Sequence, residues 1–224
     1  MSGAILPTWA ITAIGFVAQG LFSARIVVQW AKSEKAGKLV SPAWYWILSL
    51  AGSWVMFFYG VLRNDFSIIV GQLLAYYIYI WNLDIKNLWK KVHPVLRYAL
   101  LLTPALCVVA VIANGGKFVE NFLSSGSIPL WLLLFGTLWQ TLFSLRFIYQ
   151  WLLSKRQGES VMPTSFWVLS LICAAMIVLY GVFRSDIVLM IGQGFGVITY
   201  SRNVWIGVNA SRKEAREKEG GQDE

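Results

Sequence analysis

The sequence predicts an all-α integral membrane protein: seven transmembrane helices, set out as two parallel three-helix repeats joined by a linker helix. Two observations predict it. Of 224 residues, 57% are hydrophobic and 13% charged, with 12 tryptophans. The apolar stretches, about 18 to 23 residues each, are long enough to cross a bilayer. The chain is also written twice. Phe22-Ser-Ala-Arg25 returns as Phe143-Ser-Leu-Arg146, Gln29-Trp30 as Gln150-Trp151, and Ser49-Leu50 as Ser170-Leu171. Tyr59-Gly60-Val61 returns as Tyr180-Gly181-Val182, Gly71-Gln72 as Gly192-Gln193, and Tyr79 and Asn82 as Tyr200 and Asn203. The offset is constant, 121 positions from 22 to 143 and again from 82 to 203. An ungapped match of this density marks a duplicated module.

The seven predicted spans lie near 9–31, 43–62, 66–85, 95–113, 129–153, 165–183 and 187–208. Residues 1–93 form repeat one and residues 128–210 repeat two; 94–127 hold a linker helix and an outer loop, and 211–224 a frayed cytoplasmic tail. Direct fusion of two three-span units inverts the second copy. One added helix restores its orientation, which assigns the unmatched fourth span as the linker. No basic region precedes the first apolar run, so a cleaved signal peptide is not expected.

Basic residues set the orientation. Lys32, Lys35, Lys38, Lys86, Lys90, Lys91, Arg97, Lys155 and Arg156 flank one side, together with Arg212, Lys213, Arg216 and Lys218 of the tail. Only Arg63, Lys117 and Arg184 flank the other. The N-terminus is expected outside and the C-terminus in the cytoplasm. A basic face against anionic lipid accounts for the net charge of +8 without nucleic acid. Ser41-Pro42 and Pro163 read as starts of spans two and six, and Asp65 and Asp186 as caps of spans three and seven.

Catalytic groups are scarce. The single histidine, His93, adjoins Pro94 in a cytoplasmic loop, and no acidic pair or metal-ligand spacing falls within the spans. No catalytic residue, cofactor or metal is therefore expected. Cys107 and Cys173 lie mid-span and read as buried small hydrophobes. Gly192-Gln-Gly-Phe-Gly196 sits inside an apolar span, where close helix packing is expected rather than a nucleotide loop.

Arg25 and Arg146 carry the most information. Each lies roughly 10 Å inside its helix end, at 1.5 Å per residue. Two roles fit: a ligand contact, or a side chain snorkelling to lipid phosphates. Equivalent placement in a parallel duplication points both at one shared axis. Gln29 and Gln150, four residues on, share their face. A second stripe holds Gln72, Tyr79 and Asn82, repeated as Gln193, Tyr200 and Asn203; interhelical hydrogen bonds or a ligand can satisfy these groups. Tyr59 and Tyr180 read as interface anchors. Arg63 with Asp65, and Arg184 with Asp186, read as outer surface pairs or gate latches. Trp81 becomes Arg202 in the second repeat, a third arginine near the inner half, with Asp84 the nearest candidate counter-charge. A cationic, tryptophan-rich cavity suits an anionic, partly apolar ligand.

The 3+1+3 arrangement resembles the SWEET and PQ-loop transporter superfamily. Within it, Phe-Ser-x-Arg-x-x-x-Gln-Trp, then Pro42 or Pro163, then Tyr-Gly-Val-x-Arg-x-Asp and Gly-Gln, is similar to the lipid A biosynthesis N-terminal domain family. The Pro-Gln dipeptide that names the superfamily is absent from this chain. The resemblance implies a bacterial inner-membrane protein of envelope glycolipid metabolism, with membrane lipids and an envelope glycosyltransferase as partners. No glycosyltransferase domain follows Glu224, so synthase activity is not expected. Three functions fit. The first is a carrier or flippase for an anionic lipid-linked precursor, of lipid A or polyprenyl-phosphate-sugar type, working by alternating access. The others are a carrier of a small soluble sugar, and a non-transporting accessory subunit of a glycolipid enzyme. Two fused repeats can form a pathway in one chain, and oligomers remain open.

Overall fold

The structure, a computed structural model, describes residues 6–63, 66–113, 115–116, 129–185 and 187–220. Among these it is all-helical, with seven α-helices: α1 Thr8–Ala36, α2 Ala43–Arg63, α3 Phe66–Ile85, α4 Pro94–Ala113, α5 Leu130–Gln157, α6 Thr164–Arg184 and α7 Ile187–Gly220. A single 3-10 turn, Trp89–Lys91, precedes α4. Every predicted span coincides with one helix. Five of them, α1 to α4 and α6, are long and apolar enough to cross a membrane. Bulky apolar side chains face outward, Phe16 at 70% exposure and Ile112 at 74%, as suits an apolar solvent rather than water.

One expectation changes. The tail read as frayed from Ser211 is helical to Gly220, as the end of α7. Its Ala, Arg, Lys and Glu residues are strong helix formers, and Lys213 pairs with Glu217 one turn on at 3.9 Å.

The chain divides into two units: Met1–Arg25 with Ala43–Ile128, and Ile26–Pro42 with Pro129–Glu224. In the first, α2 packs on α3, and α4 packs on both. Helix α2 buries Tyr45, Trp46, Ser49, Leu50, Gly52, Ser53, Met56, Phe57 and Gly60, a stripe repeating every three to four residues. Pro104 lies inside α4 and has no N–H for the carbonyl of Leu100. The Tyr76 hydroxyl, buried against α4, donates to that carbonyl at 2.9 Å. Trp54 Nε1 donates to Thr103 Oγ1 at 2.9 Å, so α4 is held by polar contacts in the turn before its proline.

In the second unit, α6 packs against both α5 and α7. It buries Phe166, Trp167, Ser170, Cys173, Ala174, Ile177 and Gly181, the same stripe 121 positions later. The loops after α1 and α5 each start at a left-handed glycine, Gly37 with φ +64° and Gly158 with φ +72°. There a side chain is strained whatever the space. Among the described residues, nothing lies within 4 Å of a Cβ added at Gly192 or Gly194, whereas one at Gly196 would meet the Tyr200 ring at 3.0 Å. Cys107 and Cys173 are buried and free, as expected.

Candidate functional site

Each unit buries one arginine of the repeated motif in a cage of aromatic rings. In the first unit, Arg25 is 8% exposed. Its guanidinium carbon lies 4.6 Å from the Phe22 ring, 5.4 Å from Tyr45 and 5.9 Å from Tyr79. Its Nη1 donates to Ser49 Oγ at 3.0 Å and to the Tyr79 hydroxyl at 3.3 Å. In the second unit, Arg146 is 2% exposed and meets four rings: Phe143 at 3.3 Å, Phe147 at 4.9 Å, and Phe166 and Tyr200 at 5.7 Å each. Cation–π attraction is strongest when the cation is desolvated, as both are. No carboxylate lies within ion-pair distance of Arg146 among the described residues.

The glutamines do something the sequence reading missed. Gln29 Nε2 donates to Ser33 Oγ at 2.9 Å and Val40 O at 3.4 Å, and Val40 N donates back to Ser33 Oγ at 3.1 Å. Gln150 repeats this with Ser154 Oγ and Val161 O, both 2.8 Å, and Val161 N donates to Ser154 Oγ at 3.0 Å. A Gln-x3-Ser pair thus clamps each loop to the helix before it. The shared 121-residue offset of Ser33/Ser154 and Val40/Val161 was the available signal. Gln29 also donates to Asn203 Oδ1 at 3.1 Å, whose own amide reaches Thr199 O at 3.0 Å. Asn82 Nδ2 bonds Ile78 O at 2.9 Å in its own helix.

The second polar stripe fans out instead of converging. Gln72 Oε1 accepts from Ser53 Oγ at 2.8 Å, while Tyr79 serves Arg25. Gln193 is half-buried, and the residue equivalent to Ser53 is Ala174, with no hydroxyl to offer. Arg202 also departs from expectation. It is not a third arginine without counter-charge, since both Nε and Nη2 bond the Glu34 carboxylate. Trp30 Nε1 donates to Glu34 at 3.1 Å, and Arg202 stacks on Trp205 at 4.1 Å. The pair is partly exposed, beside a shallow groove of about 460 Å³ along Val27, Trp30, Ala31, Glu34 and Lys35. Asp84, the partner considered from sequence, is exposed.

Near the C-terminal ends of α2 and α6, Tyr59 rests against Gly15 and Tyr180 against Gly136, where an added Cβ would come within 2.8 and 2.5 Å of the rings. Arg63 donates to the Tyr59 hydroxyl at 2.8 Å, and Arg184 to that of Tyr180 at 3.1 Å. Asp65 and Asp186 lie outside the described residues.

This doubled geometry is the pattern of a known family. The model of the Lipid A Biosynthesis N-terminal domain matches residues 14–84 and again 135–205, with the offset of the internal repeat. The chain belongs to that family. This chain is 29% identical over 214 residues to the lipid-A-disaccharide synthase of Chlamydia trachomatis serovar D, covering 91% of itself and 34% of that relative. It is 27% identical over 205 residues to the lipid-A-disaccharide synthase of Chlamydia muridarum, covering 86% of itself and 33% of the relative. The chain thus spans about a third of the length of these relatives. No solved structure matches it.

Proposed function

We propose that this Lipid A Biosynthesis N-terminal domain protein is a bacterial inner-membrane carrier or flippase for an anionic, lipid-linked envelope precursor. The observation that carries the reading is the duplicated buried arginine, 8% exposed in one unit and 2% in the other, with no ion-paired carboxylate at Arg146 among the described residues. A guanidinium at membrane depth is costly unless something anionic uses it. In this reading residues 1–93 and 128–210 are parallel three-helix repeats and 94–127 the linker, a SWEET-like 3+1+3 plan. The N-terminus faces outward and the C-terminus the cytoplasm. Alternating access between the two bundles moves the substrate. The repeated motif arginine, Arg25 in one unit and Arg146 in the other, is the candidate for the phosphate, with Gln29, Gln150, Asn82, Asn203, Tyr79, Tyr200, Gln72 and Gln193 around the polar head. The Tyr59–Arg63 and Tyr180–Arg184 contacts lie at the outer gate. No enzymatic activity is assigned.

The experiment is reconstitution in liposomes carrying a fluorescent polyprenyl-phosphate-sugar. Carriage makes probe in the inner leaflet accessible to dithionite beyond the outer-leaflet fraction. Probe protected as in protein-free liposomes excludes it.

A second reading is favoured by the relatives' length. A domain found as about a third of chains named lipid-A-disaccharide synthase also suits an accessory that holds a glycosyltransferase at the membrane. It predicts no probe movement, together with stimulation of a purified glycosyltransferase by the reconstituted protein.

A further inference from the structure

We infer that the two equivalent arginines have divided their labour: Arg146 is the anion-binding arginine, for a phosphate-type oxyanion, and Arg25 is a structural one. The inference deepens the carrier reading and rests on it for the ligand class.

The two cages share a plan but differ in their hydrogen bonds. Arg25 has two hydroxyl acceptors, Ser49 and Tyr79, both at Nη1, and it is at Nη1 that the cages differ. Arg146 Nε and Nη1 are buried with no hydrogen-bond partner among the described residues. Those nitrogens lie on the two edges by which a guanidinium grips an oxyanion. A third orphaned donor belongs to a ring that packs on the same cage. Trp167 Nε1 is buried without a partner, and its ring packs on Phe166 at 5.0 Å and Tyr200 at 5.8 Å, two of the rings facing Arg146. Two unpartnered N–H donors on a buried positive charge, with a third on a ring packed against its cage, call for an acceptor that is itself negative. Buried donors of this kind are rare because leaving them unmade is costly.

Differences between the repeats explain the asymmetry. Phe22 rests on Gly52, where an added Cβ would meet the ring at 2.9 Å. Its equivalent is Cys173, whose side chain cannot coexist with a ring in that pose, and Phe143 stands 3.3 Å from Arg146 instead of 4.6 Å. Tyr45 becomes Phe166, so one hydroxyl is lost from the second cage. Ser170 remains, and its Oγ bonds Phe166 O at 2.7 Å. The second cage holds its arginine by rings alone and leaves its donors free.

The test measures thermal unfolding of the purified full chain in neutral detergent, with inorganic phosphate or with phosphatidic acid as probe and phosphatidylcholine as control. Wild type, Arg25→Gln, Arg146→Gln and Trp167→Phe are compared. The expected result is a rise in midpoint with at least one anionic probe, kept in Arg25→Gln. Arg146→Gln and Trp167→Phe weaken the apparent affinity, the former by about tenfold or more. A response to inorganic phosphate marks a free anion as sufficient; a response to phosphatidic acid alone marks a lipid headgroup. Without probe, Arg146→Gln unfolds no earlier than wild type, whereas Arg25→Gln unfolds earlier. A response lost in Arg25→Gln and kept in Arg146→Gln overturns the division of labour but leaves the anionic-ligand reading standing. No response of wild type to either probe overturns both. Should Arg146→Gln fail to fold, Trp167→Phe decides: an unchanged response overturns the inference.

Discussion

Arg25 and Arg146 occupy the same position of the same repeat, and each lies under aromatic rings in its own unit. One is hydrogen-bonded to two hydroxyls and the other leaves two N–H groups without acceptors. The difference teaches that duplication preserves the costly element, a buried cation, while the means of stabilising it diverges. In the first unit, hydrogen bonds and rings share the task. In the second, four rings surround the charge and its donors remain available. A duplicated protein can thus keep one copy of a group for architecture and release the other for binding.

The comparison can be broken most sharply at the arginines themselves. Arg25→Met is expected to destabilise by about 2–3 kcal/mol, through lost charge-assisted hydrogen bonds, whereas Arg146→Met is neutral or stabilising. Denaturant titration in micelles reads the gap, and equal losses abolish the contrast. One step smaller is the serine pair. Ser49→Ala removes an acceptor from Arg25 and should cost about 1–2 kcal/mol; Ser170→Ala loses only a bond to its own helix and should cost less than about 1 kcal/mol.

Smaller again is the interhelical bond from Ser53 to Gln72, which Ala174 denies to Gln193. Ser53→Ala should cost about 0.6 kcal/mol, the average for such bonds in a bilayer. Ala174→Ser should recover part of that in the second unit, and a loss on both changes argues that shape rather than hydrogen bonding governs the site. Least is expected from Glu34→Gln. The Glu34–Arg202 pair is partly exposed, so the unfolding midpoint should barely move and any shift should shrink with added salt.

The seven helices and the duplication follow from the sequence by itself. A bilayer demands about 20 apolar residues per helix with every backbone bond made inside the segment, so length and hydrophobicity suffice to locate the spans. Identity at a constant offset then pairs Arg25 with Arg146 and Gln29 with Gln150 before any coordinates exist. The partners were another matter. Glu34 follows Lys32 in what reads as a basic loop, and only folding brings it to Arg202. Ser33 and Ser154 look like loop residues, yet they close the clamps on Val40 and Val161. The last turns of α7 read as a tail because charge density alone does not separate a solvated helix from a coil. Above all, the contrast between the two arginines depends on hydrogen-bond geometry, which fails over a few tenths of an ångström. Residue identity is the same at both positions, so only the packing of neighbours such as Gly52 and Cys173 decides whose Nη1 finds hydroxyl acceptors and whose does not.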